Sequence, residues 1–409
     1  MSEIDSAEIV IIGGGAVGCG VAYSLANAGK TDVLLLEREP TVAAVTTSQA
    51  AGLVGQVRGS VERTRLAMWS VETFSQLQAD DEANPAWRQV GSLRVATTAE
   101  RVEEFRQMKR VADEAGLEAD FIDTSEAQAK WPMMSFDRAQ AVLWCPSDGY
   151  LQPSDLTLAY VAHARRLGAR FRTSTAVSGI VVKEGRVCGV ETDQGTIRCE
   201  TVINAAGAHA YHIAKGVGLE LPIVPVRHEF FVTVAADGLE PSLPVVRIPD
   251  ATLYLRAETN ALLCGGWEPS GLSNDPRAQP LDQVSPSIEP DWDVLYEFAE
   301  QLAPQFPEVR KLGVRSVFRG WPTFTPDGRF IIGESRHVRG FVMAGGCNAH
   351  GVSGSAGIGR HVVESMLEEE LSPYVKSLSP DRFLDVDWDW ETATREARRC
   401  YETYYCLGH

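Results

Sequence analysis

Gly13, Gly15 and Gly18 stand at the spacing G-x-G-x-x-G, directly after the apolar run Ile9-Val10-Ile11-Ile12. They are followed by a helix-forming stretch that reaches Lys30, and then by a second apolar run, Val33-Leu34-Leu35-Leu36, ending in Glu37-Arg38. Strand, glycine turn, helix, strand and terminal acid are the parts of a dinucleotide site. The first glycine permits a tight turn, the second lets backbone approach a pyrophosphate, and the third lets the helix lie close to the sheet. The helix N-terminus offers amide donors and partial positive charge to phosphates. Glu37 is placed to bond a ribose diol, and its charge repels a 2′-phosphate. The pattern predicts FAD or NAD and excludes NADP.

The source of electrons follows from what the rest of the chain lacks. It has no second G-x-G-x-x-G for NAD(P)H and no closely spaced redox cysteine pair. The late glycine-rich segment Gly345-Gly346-Cys347-Asn348-Ala349-His350-Gly351 has no Asp of the kind that binds a flavin ribityl chain in aromatic hydroxylases. What remains is a flavoenzyme taking electrons directly from its substrate. Of eight histidines, His209 and His212 are three apart, but no carboxylate joins them at ligand spacing, so no metal site is expected.

These residues need an ordinary globular body, and composition supplies one. The chain has 409 residues, 44% of them hydrophobic, which suits two or three domains with a closed cofactor site. The net charge of −17 disfavours nucleic acid and anionic lipid as partners. No apolar run approaches the roughly 20 residues that span a bilayer. The first residues are acidic (Glu3, Asp5, Glu8), opposite to a secretory signal, and the scattered cysteines read as reduced thiols. A cytoplasmic location is expected. The fold class is α/β, α+β overall. The segments 177–182, 186–192 and 195–197 alternate like an antiparallel meander with glycine turns, and Val202-Ile203-Asn204-Ala205-Ala206-Gly207-Ala208 reads as a buried strand ending in small residues against the dinucleotide.

Further stretches carry a resemblance: Ala50-Ala51-Gly52-Leu53, Gly91-Ser92-Leu93-Arg94-Val95-Ala96, Asp148-Gly149-Tyr150-Leu151-Gln152-Pro153, Pro225-Val226-Arg227-His228-Glu229-Phe230, Leu243-Pro244-Val245-Val246-Arg247 with Tyr254-Leu255-Arg256, and Phe324-Thr325-Pro326-Asp327. With the N-terminal motif, they make the chain resemble the FAD-dependent amine and amino-acid oxidoreductases of the D-amino-acid, glycine and sarcosine oxidase type. The likeness is greatest to the flavin half of dimethylglycine and sarcosine dehydrogenases. It implies a Rossmann-like FAD-binding domain assembled from 1–85, 145–222 and 322–375. An inserted antiparallel-sheet substrate domain is implied at 86–144 and 223–321, with an aromatic tail, 376–409, docked on the body. Flavin contacts are implied from Gly13, Gly15, Ala16, Val17, Gly18, Glu37, Arg38, Thr46, Thr47, Ser48, Gln49, Gly52, Leu53 and Val177. The later contacts are Ala206, Gly207, Gly346, Asn348, His350, Gly351 and Val352.

The implied activity is oxidation of the C–N bond of an N-methylated or other secondary or tertiary amino acid, by hydride transfer to flavin N5. His228 occupies the family's catalytic-histidine position, and Tyr254 matches a tyrosine sharing its pocket. Arg319, Trp267 and Trp321 are expected to shape the substrate end, Arg319 as the carboxylate anchor. Where the larger dehydrogenases attach flavin through a histidine, this chain has Gln49, so FAD is expected to be non-covalent; Cys347 lies near the attachment cysteine of monomeric sarcosine oxidases. The folate-binding half is not part of this sequence, so a released one-carbon unit is expected to leave as formaldehyde, to solvent or to a separate partner. Electrons pass on to oxygen or a separate acceptor. Ser353 stands where sarcosine oxidases place an oxygen-activating Lys, which predicts slow reaction with oxygen. An oligomer is compatible with the sequence. Two other readings stay open: a D-amino-acid or hydroxyproline-type dehydrogenase, and a non-catalytic flavoprotein subunit.

Overall fold

The computed structural model describes residues 5–80, 82–282 and 286–406; Glu3 and His409 lie outside the described residues. Two large sheets organise the chain. The first has six strands, in the order Ile331–Glu334, Phe341–Gly345, Thr201–Asn204, Ile9–Ile12, Val33–Leu36 and Arg170–Arg172. All neighbours are parallel except the antiparallel edge strand Ile331–Glu334. Its central strands Ile9–Ile12 and Val33–Leu36 are buried along their whole length, which is why they read as unbroken apolar runs. On one face lie the helices Ala16–Asn27, Pro153–Arg166 and Ser355–Leu367, sharing a core with Phe74 and Leu77. The three-stranded meander Val177–Lys183, Arg186–Thr192 and Gly195–Arg198 covers the other.

The second sheet has eight strands: Val314–Gly320, His228–Ala235, Ala261–Gly266, Leu253–Glu258, Val245–Ile248, Ser92–Ala96, Ala141–Cys145 and Asp120–Ile122. They are antiparallel except where Val245–Ile248 runs parallel to Ser92–Ala96. Period-two alternation divides its faces. Leu93, Val95, Val246, Leu253, Leu255, Leu262, Cys264 and Phe231 point into a core closed by Trp131, Phe298, Leu302 and Phe306. Truncating one of these leucines to alanine costs about 2–5 kcal/mol through lost transfer energy and the cavity left behind.

The opposite face carries a register row of another kind. Arg94 pairs with Arg247, Arg247 with Tyr254, Tyr254 with Gly265, and Gly265 with Phe230. His228, two residues before Phe230, shares that face and pairs with Gly320. Polar side chains inside otherwise apolar strands are thus gathered on the side that looks toward the first sheet. The C-terminal helix Trp390–Glu402 docks nearby, burying Ala397, Cys400 and Tyr401 against Val224, Val226, Trp267 and Phe324. Among the described residues, no helix is long and apolar enough to cross a membrane.

Candidate active site

A groove begins at the C-terminal ends of the parallel strands. One part, a cavity of about 410 Å³, is lined by Gly13, Gly15, Glu37, Arg38, Thr46, Thr47, Val177, Ala206 and Gly207. A second part, of about 300 Å³, shares Gly15, Thr46, Thr47, Ala205, Gly207 and Ala208 with the first, so the two are continuous. Gly18 has to be glycine, because a Cβ there would stand 2.0 Å from the Gly13 carbonyl oxygen. At Gly15 the only atom near such a Cβ is Thr47 Oγ1, at 3.1 Å, so the backbone there is open to a ligand. Glu37 is held by two backbone donors: Gly14 N donates to Oε2 at 2.6 Å and Glu39 N to Oε1 at 2.8 Å. Its remaining lone pairs are free for a ribose diol. Bare backbone at the helix N-terminus, a carboxylate at one end and a second cavity at the other fit a flavin dinucleotide.

In the second cavity the His228 imidazole Nε2 lies 2.7 Å from Tyr254 Oη, and Nδ1 lies 3.4 Å from Tyr401 Oη. Tyr401 Oη donates to Glu268 Oε1 at 3.3 Å. With that hydroxyl proton committed to a carboxylate, the Tyr401 oxygen accepts from His228 Nδ1–H, which leaves Nε2 to accept from Tyr254. Glu268 is fixed in turn by the Arg227 fork, at 3.2 Å from Nε and 2.6 Å from Nη2. Gly265 makes the short contact possible: a Cβ there would lie 2.4 Å from Tyr254 Oη and 2.6 Å from Phe230 Cβ. Burial lowers the His228 pKa to about 4, so the ring is neutral near pH 7. Burial drives the Tyr254 hydroxyl well above its ordinary value.

Four rings form a stack across the cavity. Trp267 lies on His228 (centroids 4.5 Å apart, planes at 25°) and on Tyr404 (3.6 Å, 15°), and Tyr404 lies on His350 (5.5 Å, 25°). His350 Nδ1 is 2.8 Å from the Asn348 carbonyl and must donate to it, so Nε2 accepts from the Tyr404 hydroxyl at 3.1 Å. Burial, reinforced by Arg58, Arg63 and Arg247, keeps His350 neutral. Cys347 lines the same wall, its thiol pushed up to about 12 by burial.

The residues named from sequence mostly meet here. Ala16, Val17, Gln49, Gly52, Leu53, Asn348, His350, Gly351, Val352, Trp267 and Trp321 line the second cavity together with His228 and Tyr254. Gly18, Ser48 and Gly346 line neither part and shape the turns around it: Ser48 Oγ donates to Val45 O, and Gly346 O accepts from Asn348 Nδ2. Arg319 corrects the expectation. It pairs with Glu229, and alternation turns both away from His228, onto the face opposite the cavity. The guanidinium groups that line the cavity are Arg58, Arg63, Arg94 and Arg247. Sequence reasoning assigned them no role, although an arginine between Leu93 and Val95, or between Val246 and Ile248, is a charge inside a buried strand and therefore a signal. Tyr401 and Tyr404 belong to the aromatic tail, for which the sequence predicts only docking on the body. Glu268 carried no local signal. Among the described residues, no cluster of three metal-ligand side chains occurs.

A dinucleotide groove on a parallel sheet, roofed by an antiparallel sheet that presents a histidine–tyrosine pair, defines a flavin-dependent oxidoreductase. Residues 8–365 match the family described as DAO, FAD dependent oxidoreductase, and the chain belongs to it. It is 32% identical to 4-methylaminobutanoate oxidase (formaldehyde-forming) of Paenarthrobacter nicotinovorans over 87% of this chain and 43% of that protein. It is 31% identical to human mitochondrial dimethylglycine dehydrogenase, over 98% of this chain and 46% of that protein. The chain therefore spans less than half the length of these curated relatives. L-proline dehydrogenase from P. horikoshii shares the fold, with a TM-score of 0.84 at 24% identity, covering 94% of this chain and 99% of that one.

Proposed function

We propose that this chain oxidises the C–N bond of a secondary or tertiary N-alkyl amino acid, with FAD held non-covalently. The observation that carries the reading is the hydrogen-bonded series Tyr254–His228–Tyr401–Glu268 at the wall of the cavity that continues the dinucleotide groove. When bound, FAD would supply the two-electron acceptor; Glu37 would hold its adenosine ribose and the His350 loop would line the site of its ring system. The two large sheets support a reading of the chain as a flavin-binding part and a substrate part.

An amine is oxidised only when its nitrogen lone pair is free, so the substrate ammonium must lose a proton. Its N–H donates to Tyr254 Oη, which passes its own proton to His228 Nε2. A ring with a pKa of about 4 does not keep that proton near pH 7. It releases the Nδ1 proton to Tyr401 Oη, and Tyr401 hands its proton to Glu268, whose pKa burial raises. The series thus moves a proton away without storing charge beside the reacting carbon. Neighbouring guanidinium groups also disfavour the ammonium form. Water then converts the oxidised product to an aldehyde and the shortened amine; for an N-methyl group the aldehyde is formaldehyde.

Gln49 carries a carboxamide, which is no nucleophile toward a flavin methyl, and the half-buried Cys347 thiol, its pKa pushed up to about 12, stays protonated. Acid precipitation should leave yellow supernatant and colourless protein. The eight free cysteines fit a reducing compartment such as the cytoplasm. No lysine lines the cavity, which supports slow reoxidation by oxygen; stopped-flow reoxidation in air-saturated buffer, compared with an acceptor dye, tests it. The central test is anaerobic bleaching of the bound flavin by N-methyl amino acids. Bleaching by D-amino acids alone, or by nothing, would replace this reading.

A further inference from the structure

Among the described residues, three arginines of the cavity have no carboxylate to answer them. Arg94 and Arg247 are 6% and 7% exposed, sit at paired positions on adjacent strands, and line the cavity with Arg58. Arg94 Nη2 and Arg58 Nη1 both donate to the Val57 carbonyl, at 3.0 and 3.4 Å. Arg94 Nε and Arg247 Nη1 are buried and make no hydrogen bond among the described residues. The acid whose field reaches Arg58 and Arg94 is Asp148, and its oxygens are already occupied by Gln56 and Ser92. Elsewhere the same sheet pairs its buried arginines directly: Arg256 with Glu258 at 2.7 Å, and Arg227 with Glu268 at 2.6 Å.

A buried guanidinium without a partner is destabilising, and a fold that pairs its other buried arginines but leaves three together has kept them for an anion. One carboxylate has two oxygens and matches one fork. Three forks exceed what one carboxylate satisfies. The register row also sets distances. Strands lie about 4.8 Å apart, so Arg247 stands about one strand and Arg94 about two strands from Tyr254. Tyr405 lines the same cavity within the electrostatic reach of Arg94 and Arg247, and its carbonyl accepts from Arg101 Nη1 at 2.6 Å.

We propose that the substrate is an N-substituted amino dicarboxylate. Its amine sits beside Tyr254 and His228, one carboxylate sits on Arg247, and the second sits on Arg58 and Arg94. This rests on the amine-oxidising reading above and narrows it. A single-carboxylate substrate leaves at least one guanidinium group unanswered, whereas a dicarboxylate of three to five backbone carbons spans the row.

The test compares matched probes on FAD-loaded protein without oxygen. N-methylaspartate, N-methylglutamate and iminodiacetate are set against sarcosine, N,N-dimethylglycine and 4-methylaminobutanoate, reading the second-order rate of flavin bleaching. The expected advantage of the best dicarboxylate is about 10- to 100-fold, the worth of a charge-assisted contact. Equal bleaching by monocarboxylates would overturn the dicarboxylate assignment and leave the amine-oxidising reading standing. If no probe bleaches the flavin, the functional reading falls, and binding alone decides the anion site. In that case glutarate should perturb the flavin spectrum and raise the melting temperature more than butyrate does; equality of the two overturns the proposal. In Arg94→Met and Arg58→Met the dicarboxylate preference should collapse toward unity, and Arg94→Lys, which keeps charge but loses the fork, should retain only part of it. If these variants instead lose FAD affinity and keep the preference, the arginines serve the cofactor and the proposal is wrong.

Discussion

The two ends of the groove are built by opposite means. At the dinucleotide end about half of the lining comes from one stretch, residues 12–47, joined by residues 175–178 and 205–209, and it is rich in glycine and alanine. At the substrate end, side chains arrive from non-adjacent places: Arg58, Arg94, His228, Arg247, Tyr254, Trp267 and the tail residues Tyr401 and Tyr404. The first end depends on what the chain lacks, since a missing Cβ opens the phosphate path. The second depends on which side chains a sheet face and a docked helix bring together. Cofactor capture and substrate chemistry should therefore be separable by mutation.

The sharpest break is Gly18→Ala. Its methyl group would stand 2.0 Å from the Gly13 carbonyl oxygen, so the turn must move. Protein purified from this variant should hold less than about a tenth of the normal flavin, judged by the ratio of 450 nm to 280 nm absorbance, and should melt several degrees lower. Full flavin content would show that the turn tolerates the methyl group, and the dinucleotide end would lose its dependence on bare backbone.

Tyr254→Phe probes the other end. It removes the hydroxyl 2.7 Å from His228 and leaves the ring packed. Flavin reduction by the best substrate should slow about 10²- to 10³-fold with FAD content unchanged. A rate within a factor of three of the parent would take Tyr254 out of the proton path.

Glu37→Ala should do the reverse. Losing a charge-assisted bond to the ribose should weaken FAD binding about 10- to 100-fold in a fluorescence titration of apoprotein. At saturating FAD, substrate should still reduce the flavin at the parent rate. A fall in both quantities would mean the two ends are coupled.

The smallest effect concerns Glu229, on the face behind His228. Burial raises its pKa to about 7, above the ordinary carboxylate value of 4.5. Protonation is thus favoured in the folded state. The stabilisation is complete below about pH 4.5 and is lost as pH rises through about 7. Glu229→Gln does not titrate, so its melting temperature relative to the parent should rise between pH 5 and pH 8, by roughly 2 °C. A difference independent of pH would mean that Glu229 is charged throughout, held by Arg227 at 3.8 Å.

Arg319 shows how a sound chemical expectation misses. An arginine just before Gly320-Trp321-Pro322 has the right chemistry for a carboxylate, and Trp321 does line the cavity. Yet a strand alternates, and the pairing of His228 with Gly320 assigns the neighbouring pair, Glu229 with Arg319, to the far face. One residue of register separates an anchor from a bystander.

The sequence by itself determined the α/β class, the glycine turn, the terminal acid at Glu37 and the FAD-type groove, because those features are local: a turn, a helix start and two short strands interact within forty residues. Through family likeness it also pointed to His228 and Tyr254. Only the tertiary structure decided that Gly265 opens the path between them, that Tyr401 and Glu268 complete the series, and that Arg58, Arg94 and Arg247 share one end of the cavity. These contacts depend on the register of strands far apart in the chain and on where the C-terminal helix docks. Register and docking are set by packing of whole faces, with no single short stretch of residues to carry the signal.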